Sequence, residues 1–164
     1  SFNGDYIRAM SLDEFIQAAS PVLASTEAWP AHRFSADVFV QAAPLVQTRV
    51  VTLSEIPAMV DFLFLENPAI DDDAWNKTMS ADFARTVLAD FNAAIESAEW
   101  NHDSLKGILE TWTEANGLKL GKTQAPIRVA ITGRTVGPPL FESLEILGRE
   151  ETIRRLTAGI ARLG

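Results

Sequence analysis

Apolar residues recur at intervals of three and four along most of this chain, and that spacing limits its fold more than any other feature. The alternation of apolar and polar residues that is typical of a strand occurs in one short, isolated stretch, residues 48–53. Helical apolar faces occupy residues 12–23, 35–46, 54–63, 80–95, 101–112, 126–131 and 150–163. We therefore predict an all-α fold of roughly eight to ten helices.

Capping and breaking residues set the expected ends of these helices. Ser11 begins a capping box, and Gly117 is expected to end a helix in the left-handed conformation. Pro21 is expected to kink or split its helix, because proline removes a backbone donor. Pro126 is expected to open a helix, which leaves residues 118–124 as a basic connector.

A break between two groups of helices falls at residues 66–73, which combine a proline with three consecutive aspartates. We therefore predict two helical subdomains, residues 1–68 and residues 69–164, each a small helix bundle or cage.

The hydrophobic share of 47% is enough for a core without cross-links, and the chain has no cysteine. No apolar run approaches the roughly 18 residues of a membrane span. We expect a soluble, cytoplasmic protein that binds no membrane.

The charges of the chain are unevenly distributed. The net charge of −8 argues at first against a nucleic-acid partner. Residues 1–118, however, carry 6 basic and 18 acidic side chains, a balance of −12, whereas residues 119–164 carry 8 and 4, a balance of +4. Such an asymmetry is typical of a polyanion-binding face, with Lys119 and Lys122 as phosphate contacts. It fits equally well a basic surface that docks an acidic protein, and composition alone does not separate the two.

Residues with catalytic or metal-binding chemistry are few, and each has a simpler structural role. His102 stands at an expected helix start, where capping accounts for it, and His32 lies in a loop. The aspartates at 71–73 lack the spaced ligands of a calcium loop. Residues 117–123 end like a phosphate-binding loop, but the glycine spacing is one residue short and no buried strand precedes them. We predict no catalytic, cofactor-binding or metal site in this chain.

A rigid turn within residues 126–142 is the remaining candidate site. Prolines and glycines fix the turn, and Arg128 lies on the polar side of the preceding helix. This arrangement suits a flipped-out, single-stranded base, which stacks on the turn while the guanidinium reads its edge. The alternative is a corner that packs Pro138, Leu140 and Phe141 inside, and the residues by themselves favour that alternative.

Several segments resemble bacterial glutamyl-tRNA synthetases. The C-terminal signature of that family resembles RVAITGR at 128–134, GPPLFE at 137–142 and ILGRE at 146–150. Softer matches are FNGDYIR at 2–8, TLSE at 52–55, FLF at 62–64 and WNK at 75–77. The resemblance covers essentially the whole chain and is most specific at its C-terminus.

The resemblance implies two helical subdomains that grip the anticodon arm of a tRNA. It implies that Arg128 contacts the anticodon and that Pro138 and Leu140 pack on one of its bases. Arg134 is then expected to hold phosphate together with the two lysines.

One further position decides the expected tRNA selectivity. A family arginine that helps to read the third anticodon base falls at either Gln47 or Arg49, and the resemblance leaves both open. If the place belongs to Gln47, we expect weaker selection of tRNA(Glu) over tRNA(Gln).

The catalysis implied by the resemblance needs residues that this sequence does not contain. A class I synthetase core requires an α/β domain with His-Ile-Gly-His and Lys-Met-Ser-Lys motifs, and neither motif is present. We therefore expect the ATP, magnesium and glutamate sites in another part of the parent enzyme, and no aminoacylation by this chain alone.

The expected partner is tRNA(Glu), and also tRNA(Gln) if Gln47 occupies the place of the family arginine. We expect no binding to DNA and a monomeric protein. The alternative is a helical protein-interaction domain with a basic C-terminal docking surface.

Overall fold

The computed structural model describes residues 2–164, with side chains from residue 4 onward, and shows an all-α protein. The α-helices are α1 (Phe2–Ala9), α2 (Leu12–Ser25), α3 (Ala36–Gln47), α4 (Ile56–Val60), α5 (Asp72–Met79), α6 (Ala84–Ile95), α7 (His102–Ala115), α8 (Leu120–Thr132), α9 (Leu140–Leu147) and α10 (Arg149–Leu163). Three single-turn 3₁₀ helices span Ala31–Arg33, Leu53–Glu55 and Asp61–Leu63. No strand occurs in residues 2–164, so the predicted fold class is confirmed.

Two predicted helix-end signals are confirmed. The backbone N–H of Glu14 donates to Ser11 Oγ at 3.1 Å, and the N–H of Ser11 donates to Glu14 Oε1 at 3.1 Å, which completes the capping box of α2. Gly117 follows α7 with a φ of +66°. Local side-chain and backbone chemistry is enough to place these two ends.

Two sequence features have outcomes that depend on their surroundings. The strand-like stretch at residues 48–53 forms a turn that leads into a 3₁₀ helix, because an isolated strand has no neighbour to satisfy its backbone groups. The expected split at Pro21 does not occur, and helix α2 continues to Ser25. Pro21 is exposed, whereas Ala19 and Leu23 on the other side of the helix are buried. Proline therefore removes a hydrogen bond on the solvent side of the helix, and burial of the apolar face keeps the helix intact.

The chain forms two compact units, Ser1–Asn67 and Pro68–Gly164. The first unit packs α2 against α3 and α4 over a core rich in phenylalanine. Its largest fully buried side chains are Phe15, Phe39, Ile56, Phe62 and Phe64. The ring of Phe64 lies 4.9 Å from the rings of both Trp29 and Phe34, centroid to centroid, which closes the core at that end.

Helix α8 is the centre of the second unit and packs against α5, α6, α7 and α10. It begins at Leu120, six residues before the predicted start at Pro126, so the expected basic connector is mostly helix. The side chain of Thr123 is fully buried, and its Oγ1 lies 2.7 Å from Thr113 Oγ1 on α7. This tertiary contact holds the first turn of α8 in place and outweighs the proline that follows it.

The C-terminal end of α8 is fixed by Gly133. This glycine has a φ of +80°, and its N–H donates to the carbonyl of Val129 at 2.8 Å. Its own carbonyl accepts from the N–H of Asp71 at 2.9 Å. A Cβ at this position would lie 2.0 Å from the carbonyl oxygen of Ala69. Only glycine satisfies both the backbone conformation and this close approach.

Arg155 of α10 makes a second connection to the end of α8. Its side chain is 5% exposed; Nη1 donates to the carbonyl of Ile131 at 2.9 Å, and Nε donates to Glu151 Oε1 at 3.0 Å. The hydrogen bond from Arg154 holds the pKa of Glu151 below its usual range, and Arg155 acts in the same direction. Glu151 therefore neutralises the buried guanidinium of Arg155, which in turn donates a hydrogen bond to the carbonyl of Ile131 at the end of α8.

We predict that Gly133→Ala lowers the free energy of unfolding by about 3 kcal/mol or more, because a left-handed backbone and a steric clash act together. Gly117→Ala is the matched control: its φ is +66° but no atom lies within 4 Å of an added Cβ. The control should cost about 1–2 kcal/mol. Urea unfolding of both variants measures the difference, and equal losses would show that Ala69 moves aside.

We predict that Glu151→Gln lowers the free energy of unfolding at pH 7 by about 1–2 kcal/mol, because Arg155 loses a charged partner. The folded-state pKa is lowered, so the stabilisation is complete above the ordinary pKa of about 4.5 and is lost as the pH falls through the folded value. Urea unfolding at pH 7 and pH 3 should therefore show the gap between wild type and variant shrinking in acid. A gap that is constant with pH would contradict this role of Glu151.

Candidate nucleic-acid interface

The residues predicted to contact RNA in the second unit lie at the two ends of α8. Helix α8 has 13 residues, which corresponds to a length of about 20 Å. Lys119 and Lys122 are at its N-terminal end, and Arg134 follows its C-terminal end. The structure therefore separates the predicted contacts into two groups and does not gather them in one pocket.

The N-terminal end of α8 concentrates positive charge. Lys119 is the N-cap residue, Lys122 lies in the first turn, and this turn contains no acidic residue. Both side chains are exposed, and neither ammonium group pairs with another residue in the described part of the chain. Cations at a helix N-terminus add to the positive end of the dipole, which is unfavourable for the helix but favourable for a bound phosphate.

The C-terminal end of α8 carries a turn whose backbone is held by side chains. Arg128 Nη1 donates to the carbonyl of Pro138 at 2.7 Å. Thr132 Oγ1 accepts from the N–H of Arg134 at 3.2 Å and donates to the carbonyl of Arg128 at 3.0 Å. Ser143 Oγ donates to the carbonyl of Pro139 at 2.7 Å. These bonds fix the turn on both sides, so the groups that it exposes are pre-positioned.

A small cavity of about 290 Å³ opens beside this turn. It is lined by Asp71 and Ala74 at the start of α5 and by Arg134, Thr135 and Val136 in the turn. Val136 is 77% exposed and presents an apolar side chain to the cavity. The cavity thus combines an apolar surface, a hydroxyl, a carboxylate and a guanidinium, groups that can pack against an unpaired base and hydrogen-bond its edge.

Residues 14–160 match a family model described as an anticodon binding domain. The chain belongs to this family.

Relatives and solved structures point to one kind of enzyme. The glutamate–tRNA ligase of Frankia casuarinae is 53% identical to the chain and that of Thermobifida fusca 50%; each match covers 99% of the chain and 35% of the relative. The crystal structure of a glutamate–tRNA ligase from Elizabethkingia meningosepticum superimposes with a TM-score of 0.81 at 25% identity, covering 99% of the chain and 32% of that protein. The chain thus spans about a third of the length of the relatives it matches, and the resemblance seen in the sequence is confirmed.

The two turn residues expected to pack on a base are buried in this anticodon-binding domain. Leu140 is 2% exposed and Phe141 4% exposed, and Pro138 is buried as well. The structure therefore has the packed corner, and a base contact by Leu140 or Pro138 stays a prediction. The exposed neighbours Thr135 and Val136 were missed by sequence reasoning, although a valine in a glycine- and proline-rich turn was an available signal.

The two candidates in the first unit of the domain differ in their surroundings. Gln47 is half-buried, and its Nε2 donates to the carbonyls of Ile7 at 3.0 Å and Met10 at 2.9 Å. Arg49 is exposed, and its Nη1 donates to the carbonyl of Leu45 at 2.8 Å near the end of α3. Gln47 thus joins α1 to α3, whereas Arg49 presents a cation at the surface.

The other basic residues of the C-terminal part have structural roles in the domain. The guanidinium of Arg149 donates to the carbonyl of Ala98 and lies 5.3 Å from the ring centre of Trp100. Arg162 lies 4.5 Å from the ring centre of Trp75 and 3.5 Å from Asp72 Oδ1. Together with the buried Arg155, these contacts show that the positive balance of residues 119–164 overstates the charge available to RNA.

The two histidines of the domain lie in helices, His102 at the start of α7 and His32 in the first 3₁₀ helix. Asn101 Oδ1 caps α7, as expected for this helix start, by accepting from the N–H of Ser104 at 2.8 Å. The hydrogen bond with Glu145 raises the pKa of the neighbouring His102. Within residues 2–164 no three His, Cys, Asp or Glu side chains are grouped closely enough to hold a metal ion. No helix in the described part of the chain is long and apolar enough to cross a bilayer.

We predict that Arg128→Gln lowers the free energy of unfolding by about 1–3 kcal/mol, because the charge-assisted hydrogen bond to the carbonyl of Pro138 is lost. Arg85→Gln is the control, since this arginine of α6 is exposed and its loss should change stability by no more than about 0.5 kcal/mol. Urea unfolding of both variants provides the measurement. Equal losses would mean that Arg128 does not hold the turn.

Proposed function

We propose that this chain is the anticodon-reading part of a glutamate–tRNA ligase, the enzyme that attaches glutamate to tRNA(Glu) with ATP. The observation that carries the proposal is the match of residues 14–160 to the anticodon binding domain. Two relatives that are 50% or more identical to the chain over the matched region are named glutamate–tRNA ligases. Because the chain covers only 35% of those relatives, we assign catalysis, ATP and magnesium to the part of the enzyme that it does not span.

The two ends of α8 have different proposed roles: one supplies affinity for the RNA backbone, and the other reads the base sequence. Lys119 and Lys122 hold backbone phosphates, an interaction that depends on charge and not on base identity. At the opposite end, Arg134 and Val136 receive an unpaired base in the cavity beside the turn. Arg128 holds the turn and in this way keeps the cavity open. The distance of about 20 Å between the ends lets one strand contact both.

The first unit contributes Arg49 as its base-contacting cation. Its guanidinium is exposed and bonds the Leu45 carbonyl and Thr48 Oγ1 through Nη1. The half-buried Gln47 amide instead donates to two backbone carbonyls. This assignment favours tRNA(Glu) as the partner. Because Gln47 has a structural role, it gives no reason to expect weaker selection of tRNA(Glu) over tRNA(Gln). Charging of tRNA(Gln) is therefore the second possibility.

We assign to this domain the binding and positioning of tRNA. Its contribution to aminoacylation is to place the tRNA so that the acceptor end reaches the distant reacting atoms, a matter of orientation and not of bond making. We propose that the parent enzyme acts as a cytoplasmic monomer on tRNA and binds no DNA.

We predict that the 164-residue chain binds a tRNA(Glu) transcript more tightly than the same transcript with a scrambled anticodon, and that salt weakens both. The double variant Lys119→Gln/Lys122→Gln should weaken binding to both transcripts alike and reduce the salt slope by about 1.5. Arg134→Gln should instead reduce the difference between the transcripts, because base reading is lost. Fluorescence anisotropy at two salt concentrations measures all three proteins.

Lys106→Gln is the matched control, since this lysine lies on α7 and is also exposed. It should leave both affinities unchanged. Equal binding of the two transcripts by the wild-type chain would overturn anticodon reading and favour a general basic surface. Tight binding of an acidic protein, with indifference to tRNA, would support the helical protein-interaction domain.

A further inference from the structure

A second cavity is larger than the one beside the turn and differs from it in chemistry, because its lining is mainly apolar and acidic. It measures about 660 Å³ and runs between α6 and α7. Its walls are the aromatic rings of Phe91 and Trp112 and the small or apolar residues Ala94, Gly107 and Ile108. Its size lies within the range of about 300–1,000 Å³ that is usual for sites that enclose bulky apolar groups.

The rim of this groove carries two carboxylates, those of Asp90 and Glu99. One basic side chain reaches the same rim, where the guanidinium of Arg149 donates to the carbonyl of Ala98. Asp90 Oδ2 accepts from Trp112 Nε1 at 2.7 Å, and neither carboxylate pairs with a basic side chain in residues 4–164. The surrounding residues 81–118 contain 7 acidic and 2 basic side chains, a balance of −5. This field repels phosphates and attracts cations.

Gly107 gives the groove its depth. It lies in the interior of α7, where glycine is less favourable than alanine. An added Cβ would have no atom within 4 Å, so no internal packing requires a glycine there. Its φ is not in the left-handed range either. Because glycine has no side chain, the wall of the groove stays open at this position, next to Ile108 and Trp112.

We propose that the groove between α6 and α7 docks a cationic amphipathic helix of a partner protein. Apolar side chains of that helix enter between Phe91 and Trp112, in the manner of a helix bound in a hydrophobic groove. Its lysines or arginines pair with Asp90 and Glu99 at the rim. The surface is separate from the lysines and the turn at the ends of α8, so the domain has one face for RNA and another for protein.

The experiment uses the 164-residue chain and a model peptide of leucine and lysine, about 18 residues in length and patterned as an amphipathic helix of about five turns. Binding is followed by ¹H–¹⁵N NMR through the indole N–H of Trp112, assigned with the Trp112→Phe variant. We expect shifts confined to α6 and α7 that weaken with salt. A peptide with glutamate in place of lysine should not bind.

Four variants locate the contact and control for folding. Gly107→Leu places a side chain in the groove, where its Cβ meets no atom within 4 Å, and should weaken peptide binding roughly tenfold or more. Glu99→Gln should weaken binding severalfold, whereas Asp73→Asn, an exposed acid on α5 outside the groove, should not. Gly107→Ala should raise the Tm by a few degrees, which shows that the helix itself accepts a side chain.

Equal binding of the glutamate peptide would overturn the proposal, and so would full binding by Gly107→Leu. Movement of the Trp112 resonance by tRNA(Glu) transcript, with none by the lysine peptide, would reassign the groove to RNA. None of these outcomes depends on anticodon reading, which is measured with Arg134→Gln at the other surface.

Discussion

The second unit depends on how the C-terminal end of α8 satisfies its backbone carbonyls while it stays buried. The last carbonyls of a helix have no partner within it, and in a buried position each would be costly. Here Gly133 turns back to bond the carbonyl of Val129, and Arg155 reaches from α10 to that of Ile131. Thr132 takes the carbonyl of Arg128 with its hydroxyl. Each solution also fixes the direction in which the chain leaves the helix.

That direction determines the candidate interface. Because the chain leaves α8 in one fixed path, Arg128 meets the carbonyl of Pro138 and the turn closes over the buried Leu140. The side chain of Val136 remains outside this packed corner and is 77% exposed. Burial of Pro138 and Leu140 and exposure of Val136 are two consequences of one arrangement. A base-binding surface of this kind needs little ordering when the ligand arrives.

The sequence predicts the features that depend on neighbouring residues. The all-α class follows from the apolar spacing, and the caps at Ser11 and Gly117 follow from side-chain and backbone chemistry within a few residues. The start of α8 could not be read in this way, because the buried contact between Thr113 and Thr123 joins two different helices. The continuity of α2 through Pro21 likewise depends on which side of the helix faces water.

The candidate site also combines residues that the sequence reveals with a cavity that it does not reveal. Its charged residues were identified from composition and resemblance, whereas its cavity was not, because Asp71 and Ala74 come from a helix about sixty residues away along the chain. The separation of the lysines from the turn follows from the length of α8, which the proline at 126 concealed. The resemblance therefore names the positions, and tertiary packing decides which of them face solvent.

The contact of Gly133 with Ala69 also has a consequence for how the chain tolerates changes in length. The boundary between the two units falls after Asn67, and only two residues later the backbone lies directly against the end of α8, where Asp71 donates to Gly133. Residues gained or lost before Ala69 alter a connector, which proteins generally absorb. The same change between Ala69 and Asp71 would shift α5 out of register with the cap. In the evolution of this domain, insertions should therefore accumulate before Ala69 and stop there.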